Sequence, residues 1–396
     1  MPIYKLTFLF LLLFHFISYS QQKEILLKDI MKGNEFVGNL AYNLNWHLNG
    51  NSIIYQRKVN NEVIKYRYYI QKKISVEIEK EQIFDQIPFE KEQKKSNFHY
   101  FIHDGNLYSI KKGSSEVKTI FKTSEHLFNL QRTKNPNIIV FQSGINLFKY
   151  DKREGAIIQL SNFINDSKKN KKARSSPLEK QQKHLFKVFD KTDRSFKKEN
   201  DFKKQYLGKE QISKLQISPD RTVIVFRVLS DPKKENTKVT SYITKNGQTE
   251  THTARPKVSK SEPNQKLGLY NILEDSIHWI DFSKLKNIRK MPSYLYQNEK
   301  NTCKQQFFEE DRAIFIHQLH FNELNSNALI DIRSADNKDR WIVSLNTITL
   351  KWTEVDYQHD EAWIGGPGIS GWNMVDGNLG WINDGKDCYF QSEKSG

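Results

Sequence analysis

One phrase recurs along this chain and limits its fold more than any other feature. An aromatic or aliphatic residue leads into a polar turn, a hydrophobic strand follows, and a second strand ends in a turn bearing a charge or glycine. Trp46-His47-Leu48-Asn49-Gly50-Asn51-Ser52-Ile53-Ile54-Tyr55 is one copy, and Leu215-Gln216-Ile217-Ser218-Pro219-Asp220-Arg221-Thr222-Val223-Ile224-Val225-Phe226 is a second. Trp381-Ile382-Asn383-Asp384-Gly385-Lys386-Asp387-Cys388-Tyr389-Phe390 is a third. A companion phrase runs from Gly144 to Asp151 and on through Gly155 to Leu160, with a weaker version at Gly105-Asn106-Leu107-Tyr108-Ser109-Ile110. Further strand-like runs are Asn137 to Phe141, Ala328 to Ile332 and Trp341 to Leu345, and helical periodicity is scarce. β-Branched and aromatic residues suit a pleated, half-buried surface, while Gly, Asn, Asp and Pro supply the turn conformations between strands. The expected class is all-β. Turn, strand, turn, strand at a spacing of roughly 40–50 residues is how a β-propeller of four-stranded blades is written, because each blade buries its faces only against its neighbours. A β-sandwich pair is the alternative. The length suits about six blades of a larger ring that need not be closed.

Composition refines this reading. The 396 residues carry 62 Lys and Arg against 46 Asp and Glu, a formal net charge of +16, and 12% aromatics. The aromatic content argues against disorder, and the charge excludes an acidic, solvating chain. The positive charge is concentrated: Lys168 to Lys204 holds fourteen Lys or Arg and five Asp or Glu, a local balance of +9. The first part of that segment is too polar to pack and reads as a loop. Within the rest, Leu178, Leu185, Phe186 and Phe189 share one helical face, so a helical insertion on the propeller is expected.

Residues 1–20 have the layout of a secretory signal peptide: Lys5, an apolar run from Leu6 to Ile17, and a small-x-small site at Ser18-Tyr19-Ser20 before Gln21. The alternative, a membrane anchor, needs ~20 apolar residues, more than this run supplies. The expected organisation is therefore a signal peptide at 1–20, first propeller blades at 24–163, a basic loop/helix insertion at 164–204, and further blades at 205–396 truncated at the C-terminus. A periplasmic or secreted location and no membrane span follow. Cys303 and Cys388 are the two cysteines. They could pair in an oxidising compartment or remain two free buried thiols.

Several of these residues occur in a familiar order. Leu27-Lys28-Asp29-Ile30-Met31-Lys32-Gly33, leading on to Trp46, resembles the first blade of the N-terminal propeller of dipeptidyl peptidase IV-like serine peptidases, in the prolyl oligopeptidase clan. Ser218-Pro219-Asp220 is similar to the start of another blade, and Arg255-Pro256-Lys257-Val258 with Glu262-Pro263-Asn264 and Lys266 to Tyr270 is similar to the family's Tyr-Pro-Lys-Ala-Gly…Asn-Pro segment. Ile330 to Arg333, Asp339-Arg340-Trp341, Ala362 to Gly365 and Phe390 to Gly396 follow the later blades in order. The resemblance implies a propeller packed on an α/β-hydrolase domain, with peptides admitted to a cavity between them. No Gly-x-Ser-x-Gly nucleophile elbow occurs in these residues; the nearest, Gly368-Ile369-Ser370-Gly371-Trp372, has Trp where the closing Gly must stand. No catalytic triad is expected in this chain. The family's Glu-Glu pair, which captures a substrate ammonium, would fall in Lys203 to Glu210, where only one Glu stands among three Lys.

The remaining constellations are weaker. Asp360-Glu361 beside Trp363 is the candidate substrate-binding pair, with a solvated turn as the alternative. Gly365-Gly366-Pro367-Gly368 could suggest a phosphate loop, but it lacks the Gly-Lys-Ser/Thr ending and Pro367 removes a donor, so a blade-connecting turn is expected. His317 and His320 have a spacing seen in metal sites, yet no third ligand is in view and strand histidines are expected. The basic insertion, with Phe186, Phe189, Phe196 and Phe202, could bind nucleic acid; an exported chain makes a solvated or envelope-facing surface the expectation. No cofactor and no metal are expected. The leading expectation of function is the non-catalytic propeller portion of an exported peptidase, which gates and orients peptide substrates together with a hydrolase domain. The alternatives are a stand-alone exported propeller binding a peptide, glycan or protein partner, and a remnant without function.

Overall fold

The computed structural model describes residues 25–60, 62–89, 97–165, 203–208, 210–230, 237–244, 246–254, 264–293, 307–366, 368–369 and 377–394. Residues 1–20, expected to be a signal peptide, residues 166–202 of the expected insertion, Arg255 to Pro263, Cys303, Pro367 and Ser370-Gly371-Trp372 lie outside them. Two compact units emerge, residues 1–103 with 108–120, and 104–107 with 121–396.

In the first unit, β1 (Tyr42–Trp46), β2 (Ser52–Val59), β3 (Glu62–Tyr69) and β4 (Ile74–Glu77) form an up-and-down antiparallel sheet in chain order. β5 (Phe98–His103), β6 (Asn106–Lys111) and β7 (Val117–Phe121) make a three-stranded sheet in the same way. Ile87, Phe101 and Ile110 form a small apolar cluster with Leu48, Phe84 and Val117 around it. A polar knot sits beside it. The buried Arg67 donates through Nε to Ser52 Oγ at 2.9 Å, through Nη2 to His47 Nδ1 at 3.1 Å, and through Nη1 to Asp85. His47 Nε2 lies 2.9 Å from the Phe84 carbonyl, which can only accept, and burial holds this imidazole below its usual pKa.

The second unit repeats the plan. β8 (Leu127–Arg132), β9 (Ile138–Ser143), β10 (Asn146–Asp151) and β11 (Ala156–Gln159) form one four-stranded meander. β12 (Phe163–Ile164) pairs in parallel with β13 (Gln205–Tyr206), so the chain leaves after residue 164 and returns beside its point of departure. β14 (Gln211–Ile217), β15 (Val223–Ser230), β18 (Asn264–Asn271) and β19 (Ser276–Trp279) form the next meander, interrupted by the hairpin β16 (Thr237–Ser241) and β17 (Glu250–Ala254). β20 (Ile314–Phe321), β21 (Asn327–Ser334), β22 (Asp339–Asn346) and β23 (Trp352–His359) form another, and β24 (Leu379–Ile382) pairs with β25 (Asp387–Phe390). The chain is all-β, built of four-stranded antiparallel sheets of the propeller-blade kind.

Burial separates blades from a sandwich. Alternate residues of β15 face opposite ways. Val223 and Val225, with Leu267 and Leu269 of β18, pack on Ile316, Ile330, Trp341 and Val343 of the following sheet. Ile224, Phe226 and Val228 pack on Ile138, Val140 and Leu147 of the preceding one. The sheet β20 to β23 is likewise covered on its second face, where Leu329 and Ile342 meet Leu379, Trp381 and Phe390. A sandwich leaves one face of each sheet to water; here the middle strands of the central sheets are covered on both faces, which is why Val223 to Phe226 is an unbroken apolar run.

A second regularity is invisible to an alternating pattern. β1, β8, β14 and β20 each carry a bulge, between Tyr42 and Asn45, Phe128 and Gln131, Ser213 and Gln216, and Ile316 and Gln318. In the first three the bulged residue is left-handed: Asn43 at φ 52°, Asn129 at φ 52° and Lys214 at φ 46°. Asn tolerates this region and Lys does so at a cost. The bulge frees side-chain amides to reach the next sheet. Gln131 Nε2 donates to the Leu215 carbonyl at 2.8 Å while its Oε1 accepts from the Ile217 amide at 2.8 Å. Asn129 Nδ2 adds a 2.8 Å bond to the same carbonyl, and Gln216 Nε2 donates to Leu319 O at 3.2 Å.

Candidate functional site

The acidic pair Asp360-Glu361 falls just after β23, at one end of the sheet β20 to β23. Register places Asp339, at the start of β22, opposite His359, at the end of β23, with Tyr357 two residues earlier and therefore on the same face. The Asp339 carboxylate is almost fully buried. It accepts from Tyr357 Oη at 2.6 Å, pairs with Arg312 Nη2 at 2.6 Å, and meets His359 Nδ1 at 2.8 Å. Burial and the bond to Asp339 push the Tyr357 phenol well above its usual pKa. The other ring nitrogen, His359 Nε2, lies 3.2 Å from Glu361 Oε1, and Ser293 Oγ donates to Glu361 Oε2 at 2.5 Å. Hydrogen bonds from Ser293 and His359 hold the Glu361 carboxyl below the usual carboxylate range.

The predicted pair therefore divides. Asp360 Oδ1 accepts the backbone amides of Ala362 at 2.6 Å and Trp363 at 3.0 Å, which makes it the organiser of a turn. Glu361 keeps 56% of its side chain exposed at the head of the Asp339–His359 relay. The loop backbone is fixed from below by Lys338 Nζ, which donates to the carbonyls of Glu361 and Ala362. Ser293 gives its proton to a carboxylate and not to the imidazole, so the arrangement does not prepare a serine nucleophile. It presents a braced, ionised carboxylate at the surface. Asp339, His359, Tyr357 and Arg312 were not read from the sequence; the residues lie far apart there and only strand register unites them.

His317 sits elsewhere, in the bulge of β20. It is buried, and desolvation together with Arg333, Arg227, Arg340 and Lys214 pushes its pKa down to about 3. The cations around this neutral imidazole disfavour a metal ion beside it. Among the described residues no group of three or more His, Cys, Asp and Glu is arranged for one. The arginines are structural ties. Arg340 holds the fully buried Asp331 through Nε at 3.1 Å and Nη2 at 2.9 Å, and its Nη1 reaches the Gln391 carbonyl at 2.6 Å. Arg227 Nη1 donates to the carbonyls of Ile316 at 2.7 Å and His317 at 2.9 Å, joining β15 to β20. Burial raises the Cys388 thiol pKa.

Among the described residues no helix is long and apolar enough to cross a membrane. No family model matches the chain, and no curated protein matches it. Solved structures are similar to it at low identity. Dipeptidyl peptidase 4 from Porphyromonas gingivalis aligns over 87% of this chain and 43% of that chain, with a TM-score of 0.42 and 12% identity. A putative dipeptidyl aminopeptidase IV from Bacteroides ovatus aligns over 90% of this chain and 42% of that chain, at 0.42 and 11%. TolB from Acinetobacter baumannii aligns over 82% and 56%, at 0.31 and 10%. The chain spans less than half the length of the two peptidase structures. These likenesses are too distant to assign an activity.

Proposed function

We propose that this chain is the β-propeller portion of an exported serine peptidase of the dipeptidyl peptidase IV kind, a non-catalytic body that gates and orients peptides for an α/β-hydrolase domain. The observation that carries the reading is the sheet β14-β15-β18-β19, covered on both faces by its chain neighbours. That is the packing a propeller requires, and it occurs in a chain whose blade motifs run in the peptidase order from Leu27 to Gly396. Export rests on residues 1–20. The hydrolytic step is assigned to the partner domain because these residues hold no Gly-x-Ser-x-Gly, and the described Ser293 faces a carboxylate.

Of the acidic pair, Glu361 is the group placed to meet a substrate ammonium, since Asp360 is committed to its turn. Calorimetric titration tests this. A peptide with a free N-terminus should bind roughly tenfold more tightly than its N-acetylated form, the worth of one charge-assisted hydrogen bond. Glu361→Gln should remove the difference. Equal binding of both peptides, or a preference that survives Glu361→Gln, would contradict the assignment. If the DNA following the Gly396 codon lacks any hydrolase frame, the stand-alone binding module becomes the better reading.

A further inference from the structure

Positive charge collects around the bulge of β20. The four charges that bear most strongly on the His317 ring are Arg333, Arg227, Arg340 and Lys214, and all are positive. The three arginines are buried, while Lys214, at the bulge of β14, is exposed. The carboxylate set among them, Asp331, is shared: Arg340 Nη2 holds it at 2.9 Å and Arg333 Nε stands 4.0 Å away. Arg227 Nη1 is directed at the carbonyls of Ile316 and His317, which take its hydrogen bonds without cancelling its charge. Buried charge of one sign is costly unless an opposite charge accompanies it.

Gln318 adds a second, independent observation. In register it stands opposite Asp331, so the two side chains leave the sheet on one face, and Arg333, two residues along β21, shares that face. Gln318 is only 1% exposed. Its Oε1 accepts the Gly377 amide at 2.9 Å. A backbone N–H can only donate, so this bond fixes which end of the side chain is oxygen. Nε2 is then a buried donor with no hydrogen bond among the described residues. Such a group calls for a partner. A water molecule would satisfy the amide and leave the charge as it is; an anion answers both.

We propose that the bulge of β20 seats a small oxyanion, a carboxylate or a phosphate, which accepts from Gln318 Nε2 and pairs with the Arg333 guanidinium in the field of Arg227, Arg340 and Lys214. Guanidinium and amide donors suit the oxygens of either group. β20 is an edge strand of its sheet, so the approach is from its open side, where His320 is half-buried and Lys214 is exposed. The proposal is independent of the peptidase reading and concerns the second unit alone.

Calorimetric titration of the full chain with sodium phosphate at constant ionic strength tests it. Saturable binding at one site is expected. Gln318→Met keeps the volume and removes the donor, and should weaken binding by roughly tenfold or more, the worth of a hydrogen bond to a charged group. Lys214→Gln alters an exposed side chain and should weaken it by roughly twofold to fivefold. Absence of saturable heat overturns the proposal. Binding that both variants leave unchanged is an adventitious ion only, and overturns it too. Should Gln318→Met fail to fold, the His317 ring proton resonance of the intact chain decides the matter: phosphate should shift it, and an unmoved resonance overturns the seat. Acetylated tripeptides ending in a free carboxylate or an amide then separate the two sources. Displacement of phosphate by the acid alone assigns the seat to peptide carboxylates, and displacement by neither assigns it to a free inorganic anion; each result upholds an oxyanion site. Glu361→Gln, which tests the peptidase reading, should leave phosphate binding unchanged.

Discussion

The sheets β1 to β4 and β14-β15-β18-β19 begin alike and end differently. Each starts with a left-handed bulge, Asn43 in one and Lys214 in the other, and each sets an aromatic residue, Tyr55 or Phe226, opposite the bulge on the next strand. Yet β1 is exposed along its whole length while Leu215 and Ile217 of β14 are buried, and β15 is buried continuously from Val223 to Val228. The first sheet is held by a polar knot in which Arg67 ties Ser52, His47 and Asp85 and lies 4.9 Å over the Tyr69 ring. The other is held by apolar faces on both sides. Local strand geometry is thus a property of the sequence repeat, whereas burial and stability come from neighbouring blades. A buried guanidinium stands in both sheets, Arg67 in one and Arg227 in the other; what differs is the apolar coverage around it.

The comparison can be broken most forcefully at the buried ion pairs. Arg340→Met takes from the fully buried Asp331 its hydrogen-bonded guanidinium, leaving Arg333 Nε at 4.0 Å, and should cost about 3–5 kcal/mol by urea unfolding. Arg67→Met, whose partner Asp85 is part-exposed, should cost about 1–3 kcal/mol. Equal losses would erase the distinction between the two regions. Leu215→Ala should cost about 2–5 kcal/mol, and Leu44→Ala no more than about 0.5 kcal/mol.

Acid offers a third test. His317 has its folded pKa lowered from 6.5 to about 3, so the native state holds the ring neutral while the unfolded chain takes up a proton. Its contribution to stability is complete above pH 6.5 and is lost as pH falls from there toward 3. The slope is roughly 1.4 kcal/mol per pH unit. His317→Gln should flatten that part of the stability curve of the second unit, and an unchanged slope would place the proton elsewhere. A small stabilising effect is expected at Lys214, where Gly accepts the left-handed backbone without a Cβ penalty. Lys214→Gly should raise the midpoint by the equivalent of about 0.5–1 kcal/mol, while Asn43→Gly, already a tolerant residue, should change little.

Particular residues show how far the sequence could be read. Ser52 to Gln56, Ile138 to Phe141 and Val223 to Phe226 are strands in the structure because β-branched and aromatic residues stand between turn signals. Ser218-Pro219-Asp220 is legible for a local reason too: Ser218 Oγ donates to Asp220 at 2.6 Å and accepts the Val223 amide at 3.1 Å. The triplets Asn43-Leu44-Asn45, Asn129-Leu130-Gln131 and Lys214-Leu215-Gln216 do not read as strand, since a bulge sets two residues against one and breaks the alternation by which strands are recognised. They were nonetheless present as a repeated small-polar or Lys, Leu, amide pattern. Asp360 and Glu361 were noticed together as an acidic pair, but backbone direction gives one to a turn and the other to His359. The Asp339–His359 contact could not be read at all, because it depends on the register of β22 against β23.

In the proposed reading this propeller body does no hydrolysis by itself and serves a peptidase. The most direct measurement is to expose the purified 396-residue chain to a serine-directed fluorophosphonate probe alongside a proline- or alanine-containing dipeptide substrate. No label and no dipeptide release are predicted, whereas stoichiometric labelling accompanied by release would contradict the account.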